Sequence, residues 1–393
     1  MLDSLYIAWQ YIKFNRVKTA VLVACVALIA FLPLSLEILL DESERQLMDR
    51  AVSTPLIIGA KGSSLDLVMN SIYFDDEVPE IITMEAADQV WDMDLALPIP
   101  LYVRFHARSF PIIGTTLDYF DFRDLKVDAG RMMTVLGECV VGASVAERLG
   151  IGPGDSVVSS PENLFDLAGI YPLKMMVTGV LGRVHTADDL AIFTDVKTSW
   201  VVQGLGHGHE DVTRTKDTTV ILNRSDSNVT ANAKLLHYNE ITKENLDSFH
   251  FHGDTSIYPI TAVIAVPHDE KSGTILRGRY LSGQSDYQIV RPSEVIDGLL
   301  QNIFRIRNVL DAVIALVGSA TLLAIILVFS LSLRIRQREI MTIFRIGCSR
   351  MTVARLLGAE ILIILLVSGV ICSGGVFVVD AYANDLVRAL FIR

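Results

Sequence analysis

The chain has 393 residues, 51% of them hydrophobic, and a mean hydropathy of +0.42. That is apolar for a water-soluble protein and too polar for a bundle of membrane helices alone; it fits about three spans plus a water-exposed portion able to bury its own core. The net charge of −11 argues against a nucleic-acid partner, and four scattered cysteines (Cys25, Cys139, Cys348, Cys372) make no disulfide framework or paired metal knuckle and read as packing residues.

Residues 1–18 mix Tyr6, Ile7, Trp9, Tyr11, Ile12 and Phe14 with Lys13, Arg16 and Lys18. That composition predicts an amphipathic helix at the cytoplasmic interface, or an aromatic belt ahead of a span. The apolar run 19–40 is long enough to cross the hydrocarbon layer. It is too long for a cleaved signal peptide and no Ala-x-Ala site closes it. Leu22-Val23-Ala24-Cys25 resembles a lipoprotein cleavage box, but the apolar run continues well past it. Pro33 and Glu37 suggest a kinked span with one face against protein.

Residues 41–292 read as one extracytoplasmic α+β domain. Strands are expected at 55–60, 95–114 (two), 138–142, 156–159, 173–182, 218–222 and 261–266. Short helices are expected after Ser63, at 85–94 and at 143–149. Residues 150–155 form a turn cluster, 203–217 a polar loop, and 223–256 a polar stretch with helical patches. From 293 an amphipathic helix runs into a second span, so that 293–333 is one stalk and span. A basic loop covers 334–355, a third span 356–379, and an extracytoplasmic tail 380–393. No fourth span is expected. Gly369, Ser373, Gly374 and Gly375 would let another helix approach the third span closely.

The basic loop holds Arg334, Arg336, Arg338, Arg345, Arg350 and Arg355 against the single acid Glu339, whereas Asp41, Glu42, Glu44 and Asp49 follow the first span. The excess of arginine places the N-terminus and the loop in the cytoplasm and the large domain outside, although Arg305 and Arg307 run the other way.

Four segments carry a family resemblance. They are 8–19 (Ala-Trp-Gln-Tyr-Ile-Lys-Phe-Asn-Arg-Val-Lys-Thr), Gly114 to Phe122 with Gly130-Arg131, Gly142 to Gly150 with Gly154-Asp155, and Arg338-Glu339-Ile340 through Ile346-Gly347. With the span layout they resemble the permease subunit of type VII ABC transporters, the MacB/FtsX/LolC-E superfamily. The resemblance implies an integral membrane α-helical protein of three spans, with a large extracytoplasmic α+β domain of the MacB periplasmic core type, in a bacterial inner membrane. It implies a separate ABC ATPase subunit, a second permease copy and surrounding lipid as partners, with a periplasmic adaptor or metal-binding protein as a further one. The usual members have four spans; this sequence departs from that pattern.

No Gly-x-x-x-x-Gly-Lys-Ser/Thr phosphate loop occurs, so ATP is expected to act only through the partner. Ile340, Ile343 and Phe344 fall at helical spacing, flanked by Arg338 and Glu339 and closed by Gly347. That pattern suits an apolar face seated in a groove of the ATPase. No bound cofactor and no catalytic residue are expected, since no nucleophile motif such as Gly-x-Ser-x-Gly is present. The histidines are a separate signal. His207 and His209, and His250 and His252, form two His-x-His pairs, and His185 has Asp188 and Asp189 nearby. Imidazoles with carboxylates suit zinc. The expected function is coupling of ATP hydrolysis to mechanical work, in export or extraction of a substrate. Two other readings are an FtsX-like transmitter regulating an envelope hydrolase and a zinc-binding envelope component.

Overall fold

The computed structural model describes residues 2–391 apart from 162–171, 209–220, 226–227, 232–238, 282–284, 336–340, 343–344, 346 and 348. In chain order come α1 (Leu2–Phe14), α2 (Arg16–Val52), β1 (Leu56–Ala60), α3 (Ser64–Val68), β2 (Ile82–Thr83), α4 (Glu85–Asp92), β3 (Ala96–Ala107) and β4 (Phe110–Thr115). Then follow α5 (Asp118–Phe122), β5 (Val127–Gly130), β6 (Glu138–Val141), α6 (Ala143–Leu149), β7 (Ser156–Val158), β8 (Leu173–Leu181), β9 (Ile192–Asp195) and α7 (Val196–Val202). The chain continues with β10 (Gly206–Gly208), β11 (Ile221–Ser225), β12 (Asn228–Ala231), β13 (Asn239–Glu240), β14 (Phe249–Phe251), β15 (Pro259–Ile260) and β16 (Ala262–Pro267). It closes with α8 (Glu270–Leu281), β17 (Tyr287–Val290), α9 (Pro292–Ile335) and α10 (Arg350–Phe391).

Two compact units result. Residues 1–47 and 298–393 form a helical unit, and Met48–Asp297 form a large α/β unit. In the helical unit α1 packs along α10. Leu22 and Val23 of α2 bury against Ile364 of α10, and Ser368 Oγ donates to the Val23 carbonyl at 3.2 Å. Of the small residues expected to admit a neighbour, Gly375 lies against the Phe31 ring.

Two helices among the described residues are long and apolar enough to cross a membrane, within Arg16–Val52 and Met351–Ala383, where the sequence reading expects three. The expected second span, 312–333, falls inside α9, several of whose side chains lie outside the described residues. Both helices outlast their apolar runs: α2 continues to Val52 through the acidic stretch that follows residue 40, and α10 runs on to Phe391, with Ala383 and Val387 buried four apart on one helical face.

The large unit is built on a mixed eleven-stranded sheet. Its order is β13-β8-β6-β9-β4-β3-β16-β1-β17, with β5 and β7 also pairing to β8. The pairs β13–β8, β6–β8 and β4–β9 are parallel and the others antiparallel. Its strands were expected near their observed places at β1, β3, β4, β6, β7, β8 and β16. Not anticipated were β5, β9, α7, α8 and β17, and the stretch 223–256, where helical patches were expected, carries short strands together with a helical turn at Leu246–Ser248 among its described residues. The polar loop expected at 203–217 contains β10, and the strand expected from 218 begins at Ile221 among the described residues.

The ends of this unit are neighbours in the sheet. β1 follows α2 after Ser53, Thr54 and Pro55, and β17 precedes α9 with only Arg291 between them. β1 and β17 pair antiparallel, Ile57 opposite Val290 and Ile58 opposite Ile289. Gln288 Nε2 donates to the Ala60 carbonyl at 2.7 Å. The chain therefore enters and leaves the sheet through two adjacent strands.

Gly142, between β6 and α6, permits a close approach. A Cβ there would fall well inside contact with the carbonyl oxygens of Asp188 and Asp189, and its N–H donates to Ala191 O at 2.9 Å. Substituting Gly142→Ala should destabilise the large unit by about 1–3 kcal/mol, the usual cost of overpacking. A lowered thermal midpoint in near-ultraviolet circular dichroism checks this; an unchanged midpoint refutes it.

Candidate functional site

The last turn of α2 carries Arg50, which is buried in the large unit. It meets Asp188 in a two-pronged ion pair, Nη1 to Oδ2 at 2.6 Å and Nη2 to Oδ1 at 3.0 Å. The side chains are 7% and 2% exposed. Nη2 also donates to the Tyr119 hydroxyl at 3.1 Å, and Nε donates to the Ile72 carbonyl. The Tyr119 hydroxyl in turn donates to Asp188 Oδ1 at 2.7 Å, and Thr186 Oγ1 donates to Oδ2 at 2.7 Å. All three guanidinium nitrogens and both carboxylate oxygens thus have partners. Phe74 lies under the guanidinium at 5.4 Å, and Phe193 packs on both Phe74 and Tyr119. A second arginine, Arg123, ties the residues just beyond the helix by donating to Ser53 Oγ at 3.0 Å and Thr54 Oγ1 at 2.7 Å.

The electrostatics follow from burial. Desolvation alone pushes the Asp188 carboxyl up; the Arg50 charge, its hydrogen bonds and the Tyr119 hydroxyl outweigh this and hold the group down at about 2. Burial pushes the Tyr119 hydroxyl well above its ordinary range. Arg123 is lowered, first by burial and then by the Arg50 charge. By contrast, the first turn of α9 is held by an exposed fork, Arg277 to Glu294 at 2.9 and 2.6 Å, of a kind worth at most about 1 kcal/mol.

Two of the segments that carried the family resemblance reach Asp188, through Tyr119 and through Gly142, and others brace the framework around them. Gly142 admits the 188–189 backbone. Arg131 Nη1 donates to Glu138 Oε2 at 2.8 Å, and that carboxylate also accepts the Thr134 and Val135 N–H groups. The Asp155 carboxylate accepts the Gly152 N–H at 2.8 Å. These are framework roles.

Sequence reasoning missed Arg50 altogether. It read Asp188 and Asp189 as metal-ligand neighbours of His185, and the structure corrects this. Asp188 is spent on Arg50, and Asp189 accepts the N–H groups of Val184 and His185 at 2.9 and 2.8 Å. Lone arginines at helix ends are common; nothing local points to a partner 138 residues away.

Of the residues expected to meet an ATPase, Arg338, Glu339, Ile340, Ile343 and Phe344 lie outside the described residues. Gly347 adopts φ +99°, as a helix-stop glycine does, and α10 begins just after it, where Ser349 Oγ accepts the Thr352 N–H at 3.2 Å.

Of the four expected metal-binding histidines, His209 lies outside the described residues. His207 and His250 lie in one two-stranded ribbon, and His252 follows just after its second strand. β10 and β14 pair antiparallel, with His207 directly opposite His250. The His250 and His252 rings lie edge to face with centroids 4.7 Å apart. Among the described residues no group of three His, Cys, Asp or Glu side chains stands close enough to hold a metal.

No family model matches this chain, and no curated protein does. The fold resembles the crystal structure of the periplasmic region of MacB from Actinobacillus actinomycetemcomitans, with 15% identity and a TM-score of 0.35, over 64% of this chain and 95% of that one. It also resembles the extracellular domain of the noncanonic ABC-type transporter YknZ from Gram-positive bacteria, with 12% identity and a TM-score of 0.32, over 60% of this chain and 98% of that one.

Removing one partner of the buried pair leaves an uncompensated charge. Arg50→Met should cost about 3–5 kcal/mol, and Arg50→Met combined with Asp188→Leu should recover most of that. Denaturant unfolding of the four members of this cycle checks it; equal losses in the single and double variants refute it. The same pair gives an acid dependence. The Asp188 contribution, about 2 kcal/mol, is complete above the ordinary carboxylate value of 3.8 and is lost as pH falls toward 2. The stability difference between Asp188→Asn and the parent should therefore shrink over that interval; a difference that stays constant there refutes this.

Proposed function

We propose that this chain is the permease subunit of an ABC transporter of the MacB/FtsX/LolC-E kind. In this reading it spans a bacterial inner membrane three times, through 19–40, 312–333 and 356–379. Residues 1–18 and 334–355 lie in the cytoplasm and the large unit outside. A separate ATPase docks on 338–347, and two permease copies work together. Substrate is exported or extracted by movement of the large unit.

One observation carries the reading. The large unit is inserted between two long helices, and both reach its sheet through adjacent strands, β1 and β17. Movement of α2 is passed to β1 across only Ser53, Thr54 and Pro55, with Arg50 and Arg123 fastening that corner. A chain built this way can hand mechanical work from its helices to its sheet. The apolar composition of α2 and α10, the arginine-rich 334–355 segment and the four resembling segments agree with it. The 312–333 stretch has no charged residue, nor has 361–379, which suits transmission of movement better than an ion path.

The test is capture of the ATPase. Affinity-purified chain from native membranes should carry a nucleotide-hydrolysing subunit, identified by mass spectrometry and ATP turnover. Ile343→Asp with Phe344→Asp should lower its recovery at least tenfold. Absence of the subunit, or equal recovery with the double variant, overturns the proposal. In parallel, a cysteine placed at Lys61 should react with an impermeant maleimide in spheroplasts; reaction only in inverted vesicles overturns the orientation.

A further inference from the structure

Just beyond α3 the chain makes one wide helical turn of the π kind, Met69–Tyr73. Phe74 closes it. Its N–H donates to the Met69 carbonyl, five residues back, and the Asp75 N–H donates to the same oxygen at 3.3 Å. Such turns are rare and occur mostly singly, often at working parts of a protein. Phe74 stands at φ +60° and ψ +38°, in the left-handed region. A bulky residue there is an outlier, kept in place only by its surroundings. Asn70, Ser71 and Ile72 are fully buried. Among the described residues, Asn70 Oδ1 and Ser71 Oγ have no hydrogen-bond partner, so the turn also carries unmet polar groups.

The surroundings that keep this turn are those of Arg50. A helix end leaves its last carbonyls without partners inside the helix. Here the Ile72 carbonyl is met by Arg50 Nε, from an element outside the turn. The same guanidinium lies over the Phe74 ring at 5.4 Å, and Phe193 meets that ring edge-on at a centroid distance of 6.1 Å. One side chain thus both caps the turn and pins its strained residue, and Asp188 fixes that side chain in turn.

The other side of the turn is fastened to β3. Asn70 Nδ2 donates to the Asp75 carbonyl at 2.9 Å and to the Val103 carbonyl at 3.2 Å. Asp76 Oδ1 lies 2.9 Å from His106 Nε2. These contacts flank the irregularity of β3. Val103 is opposite Ile113 and Phe105 opposite Ile112, so Arg104 is an extra residue that breaks the ladder with β4. The 69–76 segment therefore touches Arg50 at one end and a bulge in the central sheet at the other.

We propose that residues 69–76 form a conformational switch, kept as a strained wide turn by Arg50, which relaxes when Arg50 withdraws and frees the β3 bulge at Val103–Phe105. The proposal rests on the transporter reading only for what displaces the end of α2. The switch itself lies within the large unit and its test needs no ATPase, so the two readings fail separately.

The test is hydrogen exchange followed by mass spectrometry on the full-length chain in detergent. Arg50→Lys keeps a positive charge against Asp188 but has no donor at the Nε position. In this variant, peptides covering 69–76 and 101–106 should exchange at least tenfold faster than in the parent, and together. The β6 peptide, 138–141, should keep its parent rate. Adding Ser71→Ala removes one unmet polar group from the strained form, so it should slow exchange at 69–76 again by at least threefold; a turn that was merely loosened would not respond. Near-ultraviolet circular dichroism verifies folding, and Arg50→Met with Asp188→Leu replaces Arg50→Lys if that variant unfolds. Parent-like exchange at 69–76 in the folded Arg50 variant overturns the proposal. So does faster exchange at 69–76 without 101–106, an equal rise at 138–141, or no response to Ser71→Ala.

Discussion

A buried arginine-carboxylate pair is expensive to make and costly to break, and the large unit is organised around one. Desolvating the two charges costs several kcal/mol each, and their attraction offsets this only when the geometry is good and the remaining hydrogen-bonding positions are filled. Arg50 and Asp188 meet that condition through Tyr119, Ile72 and Thr186. The consequence is positional. The last turn of α2 has one arrangement in which all these bonds are made, and Phe74, Tyr119 and Phe193 close around it. Residues far apart in sequence, from 50 to 188, are thereby held in one place.

The rest of the architecture uses that fixed corner. β1 leaves it directly and pairs with β16 on one side and β17 on the other. β17 in turn leads to α9, whose start carries the exposed Arg277–Glu294 fork and, a little further on, the fully buried Ile296.

The histidine ribbon depends on the same logic at smaller scale. Its strands are only three residues long and would not hold together alone in water. Phe251 packing on Trp200 and Tyr258, and the missing side chain at Gly206, fasten it to the core. His250 of β14 and His252 just after it lie edge to face, with ring centroids 4.7 Å apart.

Much of this was legible in the chain itself. Runs of apolar residues at 19–40 and 361–379 became long helices, Ser63 capped α3, and period-two patterning placed β3, β4, β6 and β8, because these features depend on neighbours a few residues away. The His-x-His pairs and the 142–155 turn cluster also stood out as patterns. What the chain alone did not reveal was who meets whom. Arg50 looked like one more charge after an apolar run, Asp188 looked like a metal ligand, and α10 looked finished at 379, because a residue's partner across the fold leaves no trace in its local spacing. The sequence by itself determined the helices, most strands and the candidate ligands. Only the tertiary structure decided that Asp188 belongs to Arg50, that β1 lies beside β17, and that β10 pairs with β14, since long-range pairing is settled by packing and desolvation over the whole unit.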